Sequence, residues 1–172
     1  MHIERKRISD TEIILYFSAP LSVVGSLYAD KTNKPSSLPF LLQNIFDTPD
    51  CSVILLTQDF LYLKSTNKNN LEDVELAAIA EIDDYASASN SQEITDLSIS
   101  TDKIELILKT AVAPFLQKDG GDISLKYCKD NIAYVHFLGK CNGCPYAQKT
   151  LKERVEKTLI RYLPQIREAV LI

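Results

Sequence analysis

Short apolar runs broken by turn-forming residues mark the first half of the chain. Residues 3–8 and 12–17 read as strands, and residues 23–28 predict a third. Leu38, Leu41, Leu42 and Ile45 then recur at helical spacing behind Ser36-Ser37, a pair placed to cap that helix. Two further strand-like runs, 53–56 and 60–63, flank Thr57-Gln58-Asp59, and residues 71–85 have a helical composition with six acidic side chains. The predicted order is β-β-β-α-β-β-α.

The second half is more sharply patterned. Ile104, Ile107, Leu108, Ala111, Val112 and Phe115 form one apolar helix face, with Thr101 placed as the cap and Asp102 and Glu105 in the first turn, where negative charge is favoured. Pro114 kinks or ends this helix. Gly120-Gly121-Asp122 turns the chain into a strand in which Ile123, Leu125 and Tyr127 alternate. Lys129-Asp130-Asn131 is the hairpin turn; Ala133, Val135 and Phe137 supply the buried face of the returning strand, with Tyr134 and His136 opposite. Ala147, Leu151, Val155, Thr158, Leu159 and Tyr162 make a second amphipathic face over residues 146–163, ended by Pro164 before a final strand near 168–172. This α-β-β-α-β order suits one modest core with both helices on one face of a small sheet. Between the halves, residues 86–100 are rich in serine and lack an apolar period, which predicts a linker. The expected fold class is α+β with two small domains, 1–85 and 101–172, joined by 86–100.

Composition narrows the setting. With 172 residues, 45% apolar and 24% charged, the chain is long enough for one domain or two small ones. Its apolar runs fall far short of the roughly 18 residues that cross a bilayer, and residues 1–10 lack the apolar core of a signal peptide, so a cytoplasmic protein without a membrane partner is expected. The four cysteines, Cys51, Cys128, Cys141 and Cys144, are then expected to be reduced and to serve metal or redox chemistry rather than disulfides. A net charge of −4 gives no sign of nucleic-acid binding. The charge is unevenly spread: residues 1–99 carry seven basic against fifteen acidic side chains, and residues 100–172 carry twelve against eight. We read this as two solvated surfaces of different character.

The chemistry concentrates at Gly139-Lys140-Cys141-Asn142-Gly143-Cys144-Pro145, between a strand-like and a helix-like run. Thiolates are ligands for iron-sulfur clusters, zinc and copper(I), and a pair at this spacing can face one ion or adjacent irons. The helix start at Cys144-Pro145 and the nearby Lys140, Lys149 and Lys152 should lower the thiol pKa values and favour the anion. Gly143 leaves room for backbone N–H groups to approach cluster sulfides. Two thiolates do not complete a four-ligand site, and on the residues alone a metal site, a redox dithiol and a pair of inert cysteines all stand. Cys51 and Cys128 sit beside or within strand-like runs and read as small apolar residues. His136 reads as a surface group, Gly120 and Gly121 as turn formers, and the acidic helix within 72–84 as a solvated face.

A wider set of residues is selective. Lys118-Asp119-Gly120-Gly121-Asp122-Ile123, Leu138-Gly139, Cys141-Asn142-Gly143-Cys144-Pro145 and Thr150-Leu151-Lys152 together resemble the NifU-like C-terminal domain of the Nfu family of iron-sulfur cluster scaffold and carrier proteins. Residues 1–85 resemble the Nfu N-terminal domain through Ser37-Leu38-Pro39, Ile45-Phe46 and Asp59-Phe60, although residues 4–10 stand where that domain carries a Thr-Pro-Asn-Pro type sequence. The resemblance implies a protein that is not an enzyme. It implies a 4Fe-4S cluster held between two subunits by Cys141 and Cys144 of each, an arrangement that also accommodates 2Fe-2S. The implied partners are a second copy of the chain in a cluster-bridged homodimer, upstream assembly proteins, and recipient apoproteins that take the cluster. A thiol-disulfide oxidoreductase and a structural zinc module for protein interaction are the rival readings.

Overall fold

The computed structural model describes residues 1–32, 38–88, 93–140 and 145–172, the side chains of 145–150 excepted. Two units emerge, Met1–Asp96 and Leu97–Ile172. Among the described residues no helix is long and apolar enough to cross a membrane.

In the first unit, β1 (Ile3–Ser9), β2 (Glu12–Phe17), β4 (Leu27–Asp30), β5 (Cys51–Leu56) and β6 (Phe60–Ser65) form an antiparallel sheet in the order β1-β2-β6-β5-β4. The helices α1 (Phe40–Asp47) and α2 (Leu71–Ser87) close one face of it. Leu42, Ile45, Val74, Ala78 and Ile82 meet Ile13, Leu15, Ile54, Leu56, Leu61 and Leu63 in a common core. These strand residues are two apart, so the period of the pattern turns one face inward. On the other face Tyr62 donates its hydroxyl to Glu12 at 2.7 Å, and burial together with that bond raises its pKa.

Expectations for this unit change at residues 23–28, in the stretch 86–100 and in the acidic helix. Residues 23–28 are not one strand: β3 (Val23–Gly25) breaks at Gly25, whose φ of 79° ends the extended run, and β4 begins at Leu27 in a different sheet. Ser36-Ser37 lies outside the described residues, and Pro39 holds the N-cap position of α1, its carbonyl accepting from Leu42 and Gln43. The stretch read as a linker holds secondary structure: α2 runs to Ser87, and β7 (Ile94–Asp96) pairs in parallel with β3. A three-residue strand with one inward side chain, Ile94, is too short to show a period. The acidic helix is likewise not solvated throughout. Glu75 is buried and pairs with Arg5 at 3.3 Å.

The second unit begins with α3 (Thr101–Ile107), capped by Ser100 rather than Thr101: the Ser100 hydroxyl accepts from the Lys103 amide at 3.2 Å. A π-helical turn over Leu108–Val112 leads into α4 (Ala113–Gln117), with Pro114 in its first turn. Proline has no N–H for the ladder, and the wider turn accommodates that loss. It also rotates the later residues. Ala113 and Leu116 are buried where the even 3.6-residue pattern placed Ala111 and Phe115, which are only half-buried. β8 (Gly121–Lys129) and β9 (Ile132–Gly139) form a hairpin through Asp130 and Asn131, both at positive φ, 52° and 63°, as a two-residue type I′ turn requires. α5 (Pro145–Tyr162) then crosses back so that β10 (Glu168–Leu171) lies parallel to β9, giving the sheet order β10-β9-β8. Ala133, Val135, Phe137 and Ala169 are buried on one face, with Ile104, Val112, Val155 and Leu159 buried on the helices.

Candidate metal centre

The strand end that precedes the cysteine pair is built from glycine. Gly121 pairs with Gly139 at the open end of the β8–β9 hairpin, and the Lys140 amide donates to the Gly120 carbonyl at 3.1 Å. Gly120 and Gly139 adopt φ of +77° and +62°. A β-carbon on Gly139 would stand 2.5 Å from the Gly120 carbonyl oxygen, so the two backbones approach as only glycine allows. The sequence carried a signal for this, the Gly120-Gly121 pair and Gly139, but only the pairing register brings them together.

Cys141 and Cys144 themselves lie outside the described residues, as do Asn142 and Gly143. Their chain neighbours are described: Lys140 follows the end of β9, and Pro145 is the first residue of α5. Proline suits a first helical position, where its missing N–H is no loss, and free amides there favour an anion. Of the three lysines expected near the thiols, Lys152 is committed elsewhere. It bonds Glu168 on β10 at 2.9 Å, which raises its pKa and offsets its charge. The Lys140 stem runs over Gly120, and the Lys149 side chain is not among those described.

The other candidate ligands have surroundings of their own. Cys128 sits opposite Ala133 near the hairpin turn, seven residues along β8 from Gly121. At about 3.3 Å per residue that is roughly 20 Å from the strand end leading to Cys141. Partial burial raises its thiol pKa. Cys51 is fully buried in the first unit, and desolvation pushes its thiol up to about 12. The His136 ring nitrogen Nδ1 is 2.6 Å from the Ile172 carbonyl. Among the described residues no group of three or more His, Cys, Asp or Glu side chains could hold a metal ion. Tyr127 departs from its expected inward place. Lys126 forms a bulge between Leu125 and Tyr127, which shifts the alternation by one, and Tyr127 stacks on Tyr134 with ring centres 4.3 Å apart.

Comparison with known proteins gives this arrangement a setting. Residues 104–170 match the NifU-like domain. Over 68 residues, 39% of this chain and 35% of the relative, the chain is 43% identical to the Fe/S biogenesis protein NfuA of Pseudomonas aeruginosa strain LESB58. It is 26% identical to the mitochondrial NifU-like protein 4 of Arabidopsis thaliana over 175 residues, 91% of this chain and 60% of that one. With the NfuA of Yersinia enterocolitica it shares 28% identity over 112 residues, 62% of this chain and 59% of that one. The chain thus spans from about a third to three-fifths of the length of these curated relatives. The matched region runs from within α3 to within β10 and contains both the glycine junction and the cysteine pair, so residues 104–170 are similar to a NifU-like domain of the kind found in Fe/S biogenesis protein NfuA and NifU-like protein 4.

Proposed function

We propose that this protein is an iron-sulfur cluster scaffold and carrier, not an enzyme, working in the cytoplasm. Cys141 and Cys144 from each of two chains hold one cluster, 4Fe-4S in the first instance, and the cluster passes to recipient apoproteins after loading by upstream assembly proteins. Residues 101–172 are the cluster-binding domain in this reading, and residues 1–85 an N-terminal domain of the Nfu type. The observation that carries it is the match of a NifU-like domain that includes Cys141 and Cys144, together with a Cys128 set roughly 20 Å from the strand end that precedes them in sequence. One chain thus offers two thiolates at this end, and four come from two copies.

Transfer then needs no change of oxidation state. A recipient thiolate binds an iron, a Cys141 or Cys144 thiolate leaves it, and the released thiolate takes up the proton that the recipient thiol lost. Dividing the ligands between two chains makes each half of the cage separable, which favours release over retention. The start of α5 at Pro145, next in sequence to Cys144, offers free amides and a dipole end that favour an anionic sulfur.

Anaerobic reconstitution with iron and sulfide tests this. The expected product has about four irons per dimer and a visible absorption band that is lost in Cys141→Ser and Cys144→Ser but kept in Cys128→Ser. A monomer holding one tight zinc, with no cluster formed, would overturn it in favour of a structural site. A disulfide between Cys141 and Cys144 that turns over rapidly with a dithiol substrate would favour an oxidoreductase.

A further inference from the structure

A groove of about 620 Å³ opens in the first unit between the start of α1, the end of α2 and β7. Its floor is apolar and already packed, with Leu27, Leu41 and Ile94 each buried to within a few per cent. Its edge is not. Phe40, the first residue of α1, is 76% exposed, an unusual cost for an aromatic ring on an otherwise well-buried element. Three carboxylates, Glu81, Asp84 and Glu93, line the same groove. Glu81 accepts a hydrogen bond from Asn44, and Glu93 one from Thr95. Among the described residues no lysine or arginine forms an ion pair with any of the three. The unit around it is strongly acidic, all fifteen acidic side chains of residues 1–99 falling within it against seven basic ones.

We infer that this groove docks a segment of a partner protein in which an apolar side chain is flanked by lysine or arginine. The volume is in the range of pockets that enclose a few side chains. An apolar anchor laid against Phe40 removes the ring from water, and flanking cations meet the carboxylates in a partly desolvated setting, where charge complementarity governs encounter and register. An acidic or uniformly polar segment gains neither. The docking requires no cluster and involves no cysteine, so it goes beyond the carrier function and stands or falls separately.

The test uses the full-length chain without iron and a fluorescein-labelled peptide of Leu-Phe flanked on each side by lysines. One control peptide has glutamates for the lysines, and a second has serines for Leu-Phe. Saturable binding is expected in the micromolar range, about tenfold weaker for either control and about tenfold weaker with Asp84→Lys/Glu93→Lys. Phe40→Ala, at a surface position that threatens no core contact, should weaken it about fivefold. Added salt should weaken the lysine peptide's binding to the unaltered chain much more than to the Asp84→Lys/Glu93→Lys chain. Absence of saturable binding up to about 1 mM overturns the proposal, as does equal binding by the charge-reversed variant or by the glutamate peptide. Self-association that Phe40→Ala abolishes, with no peptide binding, would assign the groove to a second copy of the chain and also overturn it.

Discussion

At Gly139 a side chain has no room: the backbone is left-handed at φ +62°, and a β-carbon would sit 2.5 Å from the carbonyl oxygen of Gly120, just before the facing strand. Left-handed strain alone costs about 1–2 kcal/mol, and moving the carbonyl adds to it. Gly120 is left-handed too, but a β-carbon there meets only the flexible Lys140 stem at 3.3 Å. Gly139→Ala should therefore lower the urea midpoint clearly more than Gly120→Ala, and equal losses in the two variants would contradict the close backbone approach. Cys51 offers a second test, through pH. Its thiol is pushed from the ordinary 9 up to about 12 by burial, so the folded chain keeps a proton that the unfolded chain gives up above pH 9. The stabilisation is fully present below that value and is lost as pH rises towards about 12, about 1.4 kcal/mol of it by about pH 10. Wild type should lose about that much more than Cys51→Ala between about pH 8 and pH 10 in urea titrations. Parallel losses in the two proteins would show that burial does not hold the thiol protonated.

Elements follow the same physics with more neighbours. β1 is an edge strand whose Arg5 faces the helices, opposite Leu15, and reaches Glu75 on α2. Removing the guanidinium leaves a buried carboxylate without its cation. Arg5→Ala is expected to cost about 2 kcal/mol, and Glu75→Gln in that background to regain most of it, by thermal or urea unfolding. If the second substitution recovers nothing, the pair does not anchor β1. Strand and helix identities such as Ala133-Val135-Phe137 and the Pro145–Tyr162 helix were legible because their periods are long enough to register. What escaped was local phase. The Lys126 bulge turned Tyr127 outward, the π turn before Pro114 moved Ala111 and Phe115 off the core face, and Ile94 was hidden in a polar stretch. Each is a shift of one residue or a strand of three, below what a pattern can carry. The cysteine pair was legible as a motif because its spacing is local in sequence. The contact between Gly139 and Gly120 was not, since it depends on which residue of β8 meets which of β9.

At the scale of the whole molecule, the question is how many chains one cluster needs. Cys51 is sealed in the core of the first unit, and Cys128 stands at the far end of β8 from the strand end that leads to Cys141. If Cys141 and Cys144 bind a cluster, completing four thiolates couples its formation to the meeting of two chains. Mass action then makes cluster retention depend on protein concentration, because dilution favours separated chains and exposes the irons. Reconstituted protein should sediment as a dimer, and an iron chelator should bleach the visible band and return the mass to that of one chain in a single coupled step. Dilution should accelerate bleaching, and Cys128→Ser should follow the same curve. Iron held by a monomer, at a level unchanged by dilution, would mean that this chain finds all its ligands alone, and the shared cage would have to be abandoned.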